Sequence, residues 1–142
     1  MEVIITEWAL QSYIDLKAKA VFSDSDYKNT LRPDAELLKT DDPFDVNHPK
    51  FGNSKFWGPA TLNGVNIKNG YKMKWHNLGP GNVQLRLCVV IVESVIEEKL
   101  ALRSFLCSSY VKDDKSEKRE MARLKIKIQK IVDGTFIYRG NL

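Results

Sequence analysis

The sequence predicts an α+β domain in the order β-α-α-β-β-β-α, with a small antiparallel sheet and helices packed on one face. Three observations lead there. Residues 70–76, Gly-Tyr-Lys-Met-Lys-Trp-His, alternate apolar and polar side chains with period two, as a strand with two unlike faces does. A second apolar run, from Val83, begins after the turn-rich segment Asn77-Leu78-Gly79-Pro80-Gly81-Asn82, so the two runs form a hairpin. Stretches of helical spacing lie near both ends of the chain.

The elements follow in order. Residues 2–6 are short, β-branched and apolar, and Thr6 is placed to cap a helix. Leu10, Tyr13, Ile14, Ala18 and Val21 recur at helical spacing, which predicts a helix over about 8–22. A second helix is expected near 33–39, where Pro33, Asp34 and Glu36 suit a first turn and Leu37 and Leu38 anchor it. Residues 40–64 hold three prolines, three glycines and four large aromatics without periodicity, and read as an ordered insertion loop pinned by its aromatic rings.

Strands follow at about 65–76, 83–92 and 100–111. A helix over about 115–132 has Met121, Leu124, Ile128 and Ile131 as its buried stripe, Asp114 and Glu117 as a capping box, and Gly134 as its stop. Residues 135–139 suit a further extended segment. The whole is expected to be one domain, residues 1–142.

Composition bounds the function. No run of about 18 apolar residues is present, and the N-terminal MEVIITEW has no basic n-region, so a cytoplasmic protein without membrane partners is expected. Two cysteines, Cys88 and Cys107, read as reduced thiols. The net charge of +4 is unevenly placed: residues 1–70 hold eight basic and ten acidic side chains, residues 71–142 fourteen and eight. The positive half begins at the alternating strand and suits a polyanion or an acidic protein.

Hairpin register locates the charge. Placing Tyr71, Met73 and Trp75 on the same side as Val83, Leu85 and Leu87 puts Arg86 on the opposite side with Lys72, Lys74 and His76. Guanidinium matches phosphate oxygens in a fork, ammonium groups stabilise phosphorane charge, and imidazole or a lysine of depressed pKa moves protons. Metal spacing, a calcium loop, a P-loop and a nucleophile elbow are all missing, so neither metal nor cofactor is expected.

The order of elements, with Tyr71-Lys72-Met73-Lys74-Trp75, then Gln84-Leu85-Arg86-Leu87, then Phe105–Lys112 and Lys118-Arg119-Glu120-Met121-Ala122, resembles the RelE/ParE/HigB superfamily of bacterial toxins. The second pair of segments is similar to the HigB-like branch. The resemblance implies a RelE/ParE-like fold and a metal-independent endoribonuclease cleaving RNA, ribosome-bound mRNA included, with a cognate antitoxin as partner. It places Lys72, Lys74, His76, Arg86 and Tyr110 as catalytic candidates. Lys112 and Arg119, with Trp57 of the insertion, are RNA-binding candidates. Asp113 and Asp114 stand where some members carry basic residues. Two alternatives share the fold: a non-catalytic protein-binding member, of which the gyrase-directed ParE branch is an example, and an RNA-binding module without catalysis.

Overall fold

The computed structural model describes residues 1–142. It is an α+β fold built on an open, mixed, mostly antiparallel sheet of six strands. These are β1 (Glu2–Thr6), β2 (Trp57–Leu62), β3 (Val65–Leu78), β4 (Val83–Ile96), β5 (Lys99–Val111) and β6 (Tyr138–Asn141), in spatial order β2-β3-β4-β5-β1-β6. The helices are α1 (Glu7–Ala18), a continuous helical stretch and α4 (Asp114–Val132). The stretch comprises α2 (Asp24–Asp26), a π-helical turn (Tyr27–Leu31) and α3 (Arg32–Thr40). No helix is long and apolar enough to cross a membrane.

The hairpin register agrees with the expectation from alternation. Met73 faces Leu87, Trp75 faces Leu85 and Lys74 faces Arg86 across β3 and β4. Side-chain alternation then divides the sheet into two apolar layers. On the first face, Val3, Met73, Trp75, Leu85, Leu87 and Val89 pack with Leu16 of α1 and with Ala35 and Leu38 of α3. On the second face, Ile4, Cys88, Val90, Phe105 and Cys107 pack with Met121, Leu124 and Ile131 of α4.

Helices therefore lie on both faces, which corrects the one-sided arrangement expected. The reason is visible in β4 and β5: Val89-Val90-Ile91-Val92 and Phe105-Leu106-Cys107 are buried throughout, and such continuous apolar runs need cover on both sides. Nor is the sheet wholly antiparallel. β1 pairs parallel with β5, Ile4 facing Phe105, because the two helical segments and three strands carry the chain across before β5 arrives.

The insertion also divides differently. Residues 41–56 are loop, but Trp57–Leu62 form the edge strand β2. Pro59 is tolerated there because the ladder is irregular between Pro59 and Thr61 at the sheet's edge. The aromatics do pin the loop, on the first face. Phe51 and Phe56 are buried, Phe51 meets Trp57 edge-on at 5.2 Å, and Trp57 stacks on Tyr71 at 5.2 Å and 5°. His48 organises the loop itself: its Nδ1 accepts the backbone N–H groups of Lys50 and Phe51 at 3.0 Å, and its Nε2–H donates to Asp41 at 2.7 Å. Buried Asp34 of α3 then accepts Trp75 Nε1–H at 2.9 Å and the ammonium of Lys50, joining helix, loop and sheet.

Helix ends follow local chemistry. Thr6 accepts the N–H of Ala9 and donates to the carbonyl of Leu106, so one hydroxyl caps α1 and ties it to β5. α1 ends at Ala18, short of the expected 22, and Leu10 and Ile14 stay substantially exposed because the helix lies at the sheet's margin. The cap of α4 is Asp113, whose carboxylate accepts the N–H of Ser116 at 2.8 Å, one residue before the expected Asp114. That shift frees Glu117 from a capping role and turns it toward the sheet.

α4 crosses the sheet closely at Gly70. A Cβ there would stand 3.2 Å from Leu124 and 3.4 Å from Ala60 and Ile128. Gly70→Val should push α4 outward and destabilise the fold by about 1–3 kcal/mol, the range for overpacking. Urea unfolding checks this, and a variant as stable as the wild type would show that α4 is loosely seated.

Candidate functional site

The basic side chains gather on the second face, beside the first turns of α4. Lys74, Arg86 and Tyr110 form one cross-strand row through the pairings Lys74–Arg86 and Arg86–Tyr110. In the next row toward the hairpin turn, His76 contacts Gln84, while the Lys112 N–H donates to the Gln84 carbonyl at 2.8 Å. Lys72 stands one row the other way, with Cys88. Of the eight residues singled out from sequence, six are thus brought together.

Glu117 is the residue that sequence reasoning assigned elsewhere. One carboxylate oxygen accepts the Lys72 ammonium and the other accepts the Tyr110 hydroxyl at 2.6 Å. Glu117 lies three residues from Asp114, which is what suggested a capping box. The signal that could have found its role is its place at i−4 to Met121 and i−7 to Leu124, on the stripe facing the sheet.

The electrostatics follow from one carboxylate among four cations. Burial opposes ionisation of Glu117, but the hydrogen bonds from Lys72 and Tyr110 and the charges of Lys72 and Lys112 outweigh it, so its pKa falls below the ordinary glutamate value. Burial lowers the pKa of Lys74, and the like charges of Lys72, Arg86 and Lys112 lower it further. Burial raises the Tyr110 phenol well above its ordinary value, and the Glu117 carboxylate adds to the rise. Tyr110 therefore remains a neutral hydrogen-bond donor.

Arg86 is only 4% exposed and loses pKa chiefly through burial. Its Nη1 donates to the carbonyls of Trp75 at 3.2 Å and Leu85 at 3.1 Å, while Nε and Nη2 have no partner within the chain. Lys74 Nζ donates to the carbonyl of Ser54 at 2.9 Å, reaching the loop beyond the edge of β3. His76 is exposed, and its Nε2–H donates to the carbonyl of Lys55. The imidazole thus anchors the loop on the hairpin, in line with the basic row.

Two candidates lie apart. Trp57 is 6% exposed and stacked on Tyr71 in the first-face core, so it is no platform for bases. Its position directly opposite Met73 on β2 determines this, since Met73 faces the first layer. Arg119 is exposed and borders the cleft between α4 and α1, away from the stripe that carries Glu117. No three His, Cys, Asp or Glu side chains converge in a metal-binding arrangement.

No protein-family model, curated protein or solved structure matches this chain.

The Glu117 contacts have a testable pH signature. Because its pKa in the folded state lies below the unfolded value near ~4.3, its contribution is full above that pH and disappears as pH falls through the folded value. Glu117→Gln should be about 1–2 kcal/mol less stable at pH 7, and the difference should shrink as pH falls through the lowered folded-state pKa. A gap that does not change with pH across the acid range would show that ionisation of Glu117 is not what stabilises α4.

Proposed function

We propose that the second face binds the phosphodiester backbone of RNA and cleaves it as a toxin-type, metal-independent endoribonuclease. The observation that carries this reading is the cluster of Lys72, Lys74, Arg86 and Lys112 around the single carboxylate of Glu117. Four cations facing one carboxylate leave a surplus of positive charge that a phosphate chain would balance. The resemblance of the two basic hairpin segments to the RelE/ParE/HigB superfamily supports the same reading, and in it an antitoxin would be the natural acidic partner.

The chemistry divides among these groups. The carboxylate of Glu117, ionised at neutral pH, takes the proton of the 2′-hydroxyl. The 2′-oxygen then attacks phosphorus and a five-coordinate species forms, its added charge facing Lys72 and the two free nitrogens of Arg86. The bond from phosphorus to the 5′-oxygen breaks, and that oxygen takes a proton from the Lys74 ammonium. The depressed pKa of Lys74 brings it nearer the range useful to a general acid. His76, with Nε2–H engaged by the loop carbonyl, serves this site by holding the strand end and its loop. The products are a 2′,3′-cyclic phosphate and a 5′-hydroxyl.

A second reading, RNA binding without cleavage, is favoured by how many of these groups already have partners. Glu117 holds both Lys72 and Tyr110, and Arg86 gives Nη1 to backbone carbonyls. Charge then attracts RNA while no base is free.

Incubation with short RNA in EDTA separates the two. Cleavage should yield cyclic-phosphate ends, and Arg86→Ala and Lys74→Met should each slow it by about 10²–10³-fold. Glu117→Gln should bind RNA more tightly and cut it more slowly. Wild-type protein that binds RNA but leaves free and ribosome-bound strands intact would support the binding module, and protein that neither binds nor cuts would end both readings.

A further inference from the structure

The first face holds a cavity of about 410 Å³ between the sheet, α1 and the helical stretch that follows it. Trp75, Leu85 and Leu87 form its floor, and it opens to solvent beside Leu10 and Arg32, which are exposed. Folded interiors are close-packed, with few voids larger than a water molecule, so a space of this size calls for a reason. The sequence leaves it unfilled by placing small residues, Ala9 on α1 and Ala35 on α3, along its walls. Its volume falls in the range of ~300–1,000 Å³ typical of small-molecule sites. It is more than twice the ~150 Å³ of a dry apolar cavity that accepts benzene.

The lining is apolar with one cationic exception. Apart from the tyrosine hydroxyls, Arg32 and Ser109 supply its only polar side chains. Over the leucine floor a water molecule finds none of the polar partners it needs. Part of the wall is the π-helical turn, in which the Arg32 N–H bonds the Tyr27 carbonyl five residues back. Such turns are rare and occur often at functional sites. This one sets Tyr27, Leu31 and Arg32 together at the cavity. The rings of Tyr13, Phe22 and Tyr27 pack on one another with centroids 5.0 to 6.2 Å apart, which holds that wall in place. Arg32 Nε donates to Glu36 at 2.8 Å and Nη1 reaches the Tyr27 hydroxyl at 3.5 Å, while Nη2 has no partner within the chain.

We propose that this cavity binds a single-chain aliphatic carboxylate, with its chain on the leucine floor and its head on Arg32. Two requirements meet here. An apolar interior favours methylene groups, whose removal from water is favourable and accumulates along a chain. A guanidinium only donates hydrogen bonds, in a fork that matches the two oxygens of a carboxylate. With Nε held by Glu36, the Nη1–Nη2 edge is the part of that fork left for a ligand. An alcohol would accept from one nitrogen only, and an amine would meet like charge. The three wall rings already pack on one another, so none is set apart to clasp a further ring, and a flexible chain suits the space better. The site is independent of the RNA reading, which concerns the opposite face of the sheet.

Calorimetric titration with decanoate, kept below micelle formation, tests this directly. Decanoate should bind about tenfold more tightly than octanoate, since each buried methylene is worth about fourfold in affinity. Arg32→Gln should weaken decanoate binding by about three- to fivefold, the effect of a partly exposed ion pair, and leave decanol binding unchanged. Ala9→Phe should abolish binding of both while unfolding at no lower temperature than the wild type, because its ring enters empty space. No decanoate binding, an affinity indifferent to chain length, or binding that survives Ala9→Phe would overturn the site. So would an Ala9→Phe variant that unfolds earlier, since the space would then be filled already. A decanoate affinity unmoved by Arg32→Gln, or lost together with that for decanol, would overturn the place given to the carboxylate.

Discussion

One carboxylate, Glu117, meets the main electrostatic demand of this fold. The second face of the sheet must be covered because Cys88, Val90, Phe105 and Cys107 are apolar, yet its near end carries Lys72, Lys74 and Arg86. A helix laid across such a face brings either apolar surface or charge against the cations. α4 brings both in order: Glu117 meets Lys72 and Tyr110, then Met121, Leu124 and Ile131 meet the apolar layer. Gly70 permits the close approach on which this depends, and the Asp113 cap sets the rotation that points Glu117 inward.

The same interaction makes the site chemically uneven. Glu117 is held ionised, Tyr110 neutral, and Lys74 is made more acidic by burial first and by the neighbouring cations second. Three unlike groups are thus each shifted from their ordinary proton affinities within a few side chains of each other, an arrangement associated with functional sites. The first face plays the supporting part. Asp34 links α3, the loop and Trp75, while the loop in turn supplies the carbonyls of Ser54 and Lys55 that receive Lys74 and His76.

Legibility in the sequence varied with the range of the interaction. Period-two alternation in β3 and β4 is enough to put Arg86 on the face of Lys72, Lys74 and His76, because the apolar row on the opposite side fixes which face each strand presents, while the direct pairing of Arg86 with Lys74 belongs to the folded sheet. The stripe of α4 was legible for the same reason. Trp57 was not, since an aromatic between prolines and glycines carries no period, and only its pairing opposite Met73 shows which way it faces. Glu117 was hidden by a competing local motif: a capping box one residue out of phase accounts for it equally well.

What the sequence determined by itself was the alternation that sorts side chains into two layers, the positions of most strands and helices, and the identity of the basic row. These are properties of neighbours along the chain, where backbone geometry alone dictates the facing. Only the tertiary structure decided that β1 runs parallel to β5, that helices cover both faces, that Trp57 is core, and that Glu117 meets Lys72 and Tyr110. Each of these depends on which distant segment fills a given space, and such contacts are selected by burial and charge balance across the whole molecule.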